Sequence, residues 1–137
     1  MIKKIIALLI CGLIFVTGCN KKNINDDNNN PIVVGPSANI NNEIIKEQTI
    51  DGLKFTNIVL ISEGDHAKFS SDIVNTTGEN INVKSFSIIY KDKDGNEIVQ
   101  LLGYIGSTIS PNQSITLTAD AEINLSHATS VQYVRNY

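Results

Sequence analysis

From residue 43 to residue 137 the chain is built of short segments in which apolar and polar residues alternate, each closed by turn-forming residues. Gln113-Ser114-Ile115-Thr116-Leu117-Thr118-Ala119 sends Ile115, Leu117 and Ala119 to one side and Ser114, Thr116 and Thr118 to the other. Val131-Gln132-Tyr133-Val134 pairs Val131 with Tyr133, and Ser85 to Tyr90 sets Phe86, Ile88 and Tyr90 on one face. A period of two is the mark of a half-buried strand. Leu53 to Ile61, Lys68 to Asn75 and Ile98 to Ile105 are rich in β-branched and aromatic residues and predict three more strands. No segment sustains a helical period. Glu43 to Gln48 reads as a helical turn or as the start of the first strand.

The breakers agree with this division. Asp94-Gly95, inside Lys91-Asp92-Lys93-Asp94-Gly95-Asn96, supplies the left-handed position that a hairpin needs. Asn75 to Asn80 and Ser110-Pro111-Asn112 separate further runs, and Asn124 to Ala128 predicts a compact turn before the last strand. Six or seven strands with turns at regular intervals predict an all-β fold, a small antiparallel β-sandwich spanning 43–137.

The first 42 residues follow other patterns. Met1 to Lys4 is short and cationic, and Ile5 to Val16 is apolar. A helix of about a dozen residues rises roughly 18 Å at 1.5 Å per residue, against about 30 Å of hydrocarbon in a bilayer. The segment therefore suits a secretory leader better than a membrane span. It ends in Val16-Thr17-Gly18-Cys19, which resembles the lipobox of bacterial prolipoproteins. The resemblance implies a signal peptide over 1–18, diacylglycerol on the Cys19 sulfur and cleavage between Gly18 and Cys19. In some lineages the new amino group is acylated as well, with fatty acids such as palmitate. Two acyl chains give a stable anchor where one is marginal, at about 0.8 kcal/mol per buried CH₂. The alternatives are an uncleaved anchor helix or an ordinary signal peptide. Residues 19–42 are rich in Asn and Asp, with Pro31, Gly35 and Pro36, and predict a flexible tether with too little apolar surface to order itself.

Composition narrows the function. Two cysteines, Cys11 and Cys19, leave one in a mature chain and no internal disulfide. Net charge moves from −3 to −5 when the leader's Lys3 and Lys4 are lost, and Arg135 is the single arginine. Such a balance lacks the basic footprint that phosphate neutralisation requires, which argues against nucleic-acid binding.

The order of an Asn75-Thr76 turn, a strand ending in Tyr90-Lys91-Asp92, the Asp94-Gly95 turn, the Ser110-Pro111-Asn112-Gln113 turn and an alternating strand resembles the immunoglobulin-like extracellular domains of the FxLYD type. These occur in lipoproteins of Gram-positive bacteria. The likeness covers Asp65 to Ala121 and departs from the name motif, since Ser87-Ile88-Ile89-Tyr90-Lys91-Asp92 has the tyrosine and acid without the rest. It implies an immunoglobulin-like sandwich and no particular activity.

Candidate chemistry is thin. Asp92, Asp94, Asn96 and Glu97 alternate like ligands of a hard cation, but Gly95 and Glu97 do not fall at the sixth and twelfth positions of a calcium loop. His66 and His127 have no partner at zinc spacing. A Ser-His-Asp set would draw on Ser70 or Ser71, His66 and Asp65, without a Gly-x-Ser-x-Gly elbow. Asn75, Asn112 and Asn124 head glycosylation-type sequons that a bacterial chain is not expected to use. The sequence thus predicts no catalytic residue, no metal ligand and no cofactor. Leu101-Leu102-Gly103-Tyr104-Ile105-Gly106 is continuously apolar, which predicts a strand covered on both faces; the alternative is an exposed patch that recruits a partner.

These readings combine into one expectation: a non-enzymatic lipoprotein on the extracytoplasmic face of the cell membrane, held through acyl chains on Cys19. Its domain would offer a surface to a protein or cell-envelope partner. The alternative is a solute- or ion-binding accessory lipoprotein. Oligomeric state is open.

Overall fold

The alternating segments all form strands in a computed structural model that describes residues 36–137. The leader, Gly18, Cys19 and the rest of 1–35 lie outside the described residues. Six long strands carry the fold: β3 (Leu53–Glu63), β4 (His66–Asn75), β5 (Ile81–Lys91), β6 (Glu97–Ile109), β7 (Ser114–Ala121) and β8 (Ser130–Asn136). Two short ones, β1 (Ser37–Ala38) and β2 (Gln48–Ile50), and one helical turn, α1 (Asn42–Ile45), precede them. The described strand count is therefore eight rather than six or seven, because two short segments add themselves to β3.

One sheet runs β1-β3-β4-β7 with β2 also on β3, and the other runs β6-β5-β8; every pairing is antiparallel. The chain forms the β3–β4 hairpin in the first sheet, crosses to the β5–β6 hairpin, returns with β7 and crosses again with β8. Pairing β4 with β7, and β5 with β6 and β8, matches the B–E and C′–C–F neighbours of immunoglobulin-like sandwiches.

Between the sheets lies a closed apolar core. Phe55 of β3 stacks on Tyr133 of β8 with centroids 4.1 Å apart and meets Phe86 of β5 edge-on at 5.0 Å. Leu53, Leu60, Phe69, Ile73, Ile88, Tyr90, Leu117 and Leu125 are among the residues packed around them. Such burial, at about 25 cal/mol per Å² of apolar surface, is the main force holding a domain with no disulfide among its described residues.

Local features explain where the strict alternation breaks. In β3 the inward residues change from Leu53 and Phe55 to Ile58 and Leu60, because the register shifts by one residue between Thr56 and Val59. Asn57 takes φ +51°, a left-handed conformation Asn tolerates, and its amide donates to Asp72 Oδ2 at 2.8 Å. The β5–β6 turn forms at Asp92–Asn96, with Gly95 at φ +82° as the sequence predicts.

One boundary is corrected. Residues 37–42 belong to the domain, although their composition reads as tether. Ser37 and Ala38 pair with Ser62 and Ile61, and the buried Asn39 amide donates to the carbonyls of Leu125 and Ala128, each at 3.0 Å. Asn41 caps α1 by accepting from the Glu43 N–H at 2.9 Å. The fully buried Ile44 then enters the core beside β3 and β8. Asparagines that look solvated in sequence are here donors to carbonyls some 86 positions away.

Candidate interaction face

The expectation that Leu101 to Gly106 is covered on both faces is corrected. Leu101 and Gly103 are buried, whereas Leu102 is 64% and Tyr104 70% exposed. The strand edges its sheet and has the core on one side only. Gly103 is required on that side: a Cβ there would sit 2.6 Å from Leu117 Cδ1. On the outer side the Tyr104 ring lies over Gly106, where an added Cβ would come 2.5 Å from Tyr104 Cζ. Gly106 also holds φ +63° next to the point where the β5–β6 register shifts. Two glycines thus let one strand pack closely inward while folding an aromatic ring flat along its outer face.

Register extends this face across the sheet. Tyr104 is opposite Ser85 and Leu102 opposite Ser87, and these serines are opposite Asn136 and Val134 of β8. Both serines are buried although they stand on the outer side. The Asn136 amide donates to Ser85 Oγ at 3.1 Å and Ser87 Oγ at 3.3 Å, and the Gln100 amide donates to Ser87 Oγ at 2.9 Å. The face is therefore a neutral polar seam bordered by Leu102 and Tyr104 on one strand and the partly exposed Val134 on another. Tyr104 was visible in sequence; Ser85, Ser87, Gln100, Val134 and Asn136 were not, since only register brings them together.

Elsewhere most of the chemically suggestive residues are engaged in holding the fold. The Asp92 carboxylate accepts from the backbone N–H groups of Asp94 and Asn96 at 2.8 and 2.9 Å and from the Asn96 amide at 3.2 Å. Those bonds, the Asn96 side chain first, hold its pKa below the ordinary carboxylate range. Asp94 turns to Lys93 at 2.8 Å. Among the described residues no three His, Cys, Asp or Glu side chains are grouped to hold a metal ion. Ser71 Oγ donates to the Thr56 carbonyl at 2.9 Å, and no hydrogen bond joins a hydroxyl to either imidazole among the described residues. His66 and His127 are exposed on β4 and on the β7–β8 connection. Asn75 is fully buried, donating to the carbonyls of Glu79 and Ile109 at 2.7 and 2.8 Å, and so knits two turns together. Asn124 donates to the Gly64 carbonyl at 2.7 Å. Burial raises the pKa of Tyr90 and Tyr133 well above that of an exposed tyrosine, which marks them as core.

A depression of about 530 Å³ is lined by His66, Ala67, Lys68, Asp120, Ala121 and Glu122. Five of them stand at the adjoining ends of β4 and β7, where Ala67 is opposite Ala121 and Lys68 opposite Asp120, and Glu122 directly follows β7. The depression lies at one end of the β4–β7 pair. In comparisons with protein-family models, curated proteins and solved structures, nothing matches the chain.

Proposed function

We propose that the protein is a membrane-anchored, surface-displayed lipoprotein whose immunoglobulin-like sandwich, of FxLYD type, is a non-catalytic module binding a protein or cell-envelope partner. The anchor is the acylated Cys19 after cleavage behind Gly18, and the chain stands on the extracytoplasmic face of a Gram-positive membrane. Support for the anchor comes from Val16-Thr17-Gly18-Cys19 at the end of an apolar run. The observation that carries the binding role is the exposure of Leu102 and Tyr104 beside a neutral polar seam, over a closed core. Aromatic and aliphatic side chains anchored on a rigid strand lose little conformational freedom on contact, which suits them to recognition.

Two measurements test this reading. Cys19→Ala abolishes acyl labelling and leaves an uncleaved precursor; normal processing of that variant overturns the anchor. A photoreactive side chain at position 104, on intact cells, captures a discrete adduct other than a doubled chain, and the same group at position 59 does not. Equal capture at both positions overturns the binding face.

A further inference from the structure

β6 ends one sheet and β7 ends the other, and the two run along the same flank of the sandwich. Charge on them is confined to Glu97, which opens β6, and Asp120, near the end of β7: no Asp, Glu, Lys, Arg or His occurs in the 22 residues between these two. Pro111 lies in the turn, off both strands. Open edges present unpaired backbone groups, and proteins ordinarily blunt them with lysine, proline, short length or a covering segment. At 13 residues, β6 is the longest described strand. Besides Glu97 at its start, its protection is a pair of bulges, each with the extra residue on β6: one between Glu97 and Val99, one between Tyr104 and Ser107. They bound the six residues Val99–Tyr104, which pair in unbroken register with Ser85–Tyr90. That leaves about 20 Å of regular free edge, at roughly 3.4 Å per residue.

We propose that Val99–Tyr104 pairs antiparallel with the same segment of a second copy of this chain, joining two three-stranded sheets into one of six. Charge selects this occupant. The molecule is net acidic, and it can approach itself along this flank without setting like charges opposite one another. An acidic or basic extended peptide finds no counter-charge on Val99–Tyr104. An antiparallel strand pair about a two-fold axis is isologous, so one segment supplies both sides of the contact. Residues opposite each other share a face. Leu102 therefore falls against Gln100, Leu102 or Tyr104 of the other copy, each an uncharged pair of the kind that stabilises sheets. The two exposed patches then form one continuous surface on the doubled sheet. The pairing needs neither the acyl anchor nor an outside partner.

Thiol crosslinking tests it in the full chain. Gln100→Cys, Leu102→Cys and Tyr104→Cys are made singly, with Val59→Cys on the outer face of the other sheet as control, and treated with a short bis-maleimide. The parent chain, with Cys11 and Cys19, sets the background. At least one β6 position is expected to give a doubled-mass band several-fold above both the control and the background. Adding Leu102→Lys to Gln100→Cys or Tyr104→Cys should cut that band several-fold, while Leu102→Thr keeps it. Thermal melting checks that the charged variant stays folded, and Tyr104→Lys on Gln100→Cys is the second charged variant. Crosslinking at β6 no higher than at position 59, or a band indifferent to both lysines, overturns the proposal.

Discussion

The two flanks of this sandwich are finished in opposite ways. Along β3 and β8 the chain covers its own edge: β1 and β2 pair with β3, α1 lies against both β3 and β8, and Asn39 fastens the segment to the β7–β8 connection. Along β6 and β7 no described segment lies over the strands, and between Glu97 and Asp120 the exposed side chains are neutral or apolar. Closure here comes from a stretch whose composition resembles a linker. The open flank, by contrast, is made from the most strand-like sequence in the molecule. A sandwich that seals one side and leaves the other as plain backbone and uncharged side chains has one flank suited to association.

The strongest way to break this contrast is to unseat the covered flank. Ile44→Ala removes a fully buried side chain, and its unfolding free energy is expected to fall by about 2–5 kcal/mol in a urea titration. A change below about 1 kcal/mol would show that the segment lies on the domain without sealing it. Asn39→Ala comes next, at about 1–3 kcal/mol, because it strips buried carbonyls of their donor. The same denaturation curve measures it.

On the open flank no substitution should match Ile44→Ala. Gly103→Ala should cost about 1–3 kcal/mol by driving a Cβ into Leu117, and Leu117→Val in the same chain should recover part of the loss. Leu102→Ser should stay within about 0.5 kcal/mol of the parent, since the side chain it removes is largely in water. A large loss there would mean that the residue supports the fold, and that its exposure is not held for a partner.

The smallest effect is with pH. Asp72 accepts from Asn57 at 2.8 Å and Thr116 at 2.7 Å, and these bonds, Asn57 first, lower its pKa; Asp92 is lowered in the same way by Asn96. A carboxyl whose folded pKa is depressed adds stability that is complete above its unfolded value, near 4. That stability is lost as pH falls through the folded value. Urea midpoints should therefore be flat from pH 7 to about 5 and drop below pH 4, with a shallower drop for Asp72→Ala. Both carboxylates lie at the surface, so the change is a modest one.

Much of this molecule could be read from the chain. Strands β3 to β8 follow from alternation and β-branched content, and the Asp94-Gly95 hairpin follows from glycine's access to positive φ. These are local properties, carried by residues within a few positions of each other. The low charge and mixed polarity of the rest likewise limited the chemistry before any fold was known.

What the sequence could not reveal depends on residues far apart in it. Asn39, Asn75 and Asn124 look like interchangeable turn formers, yet each side chain has carbonyl partners that only the assembled sheets bring near. The register of β5 with β6 and β8 gathers Ser85, Ser87, Gln100 and Asn136 into one seam. Above all, a continuous apolar run says that a strand is hydrophobic and does not say which side meets the core. Leu102 and Tyr104 are exposed because β6 ends its sheet and nothing described lies over its outer face. Local pattern determined that a strand would form at 97–109; its place at the edge of a sheet, a property of all the other strands together, decided what that strand offers.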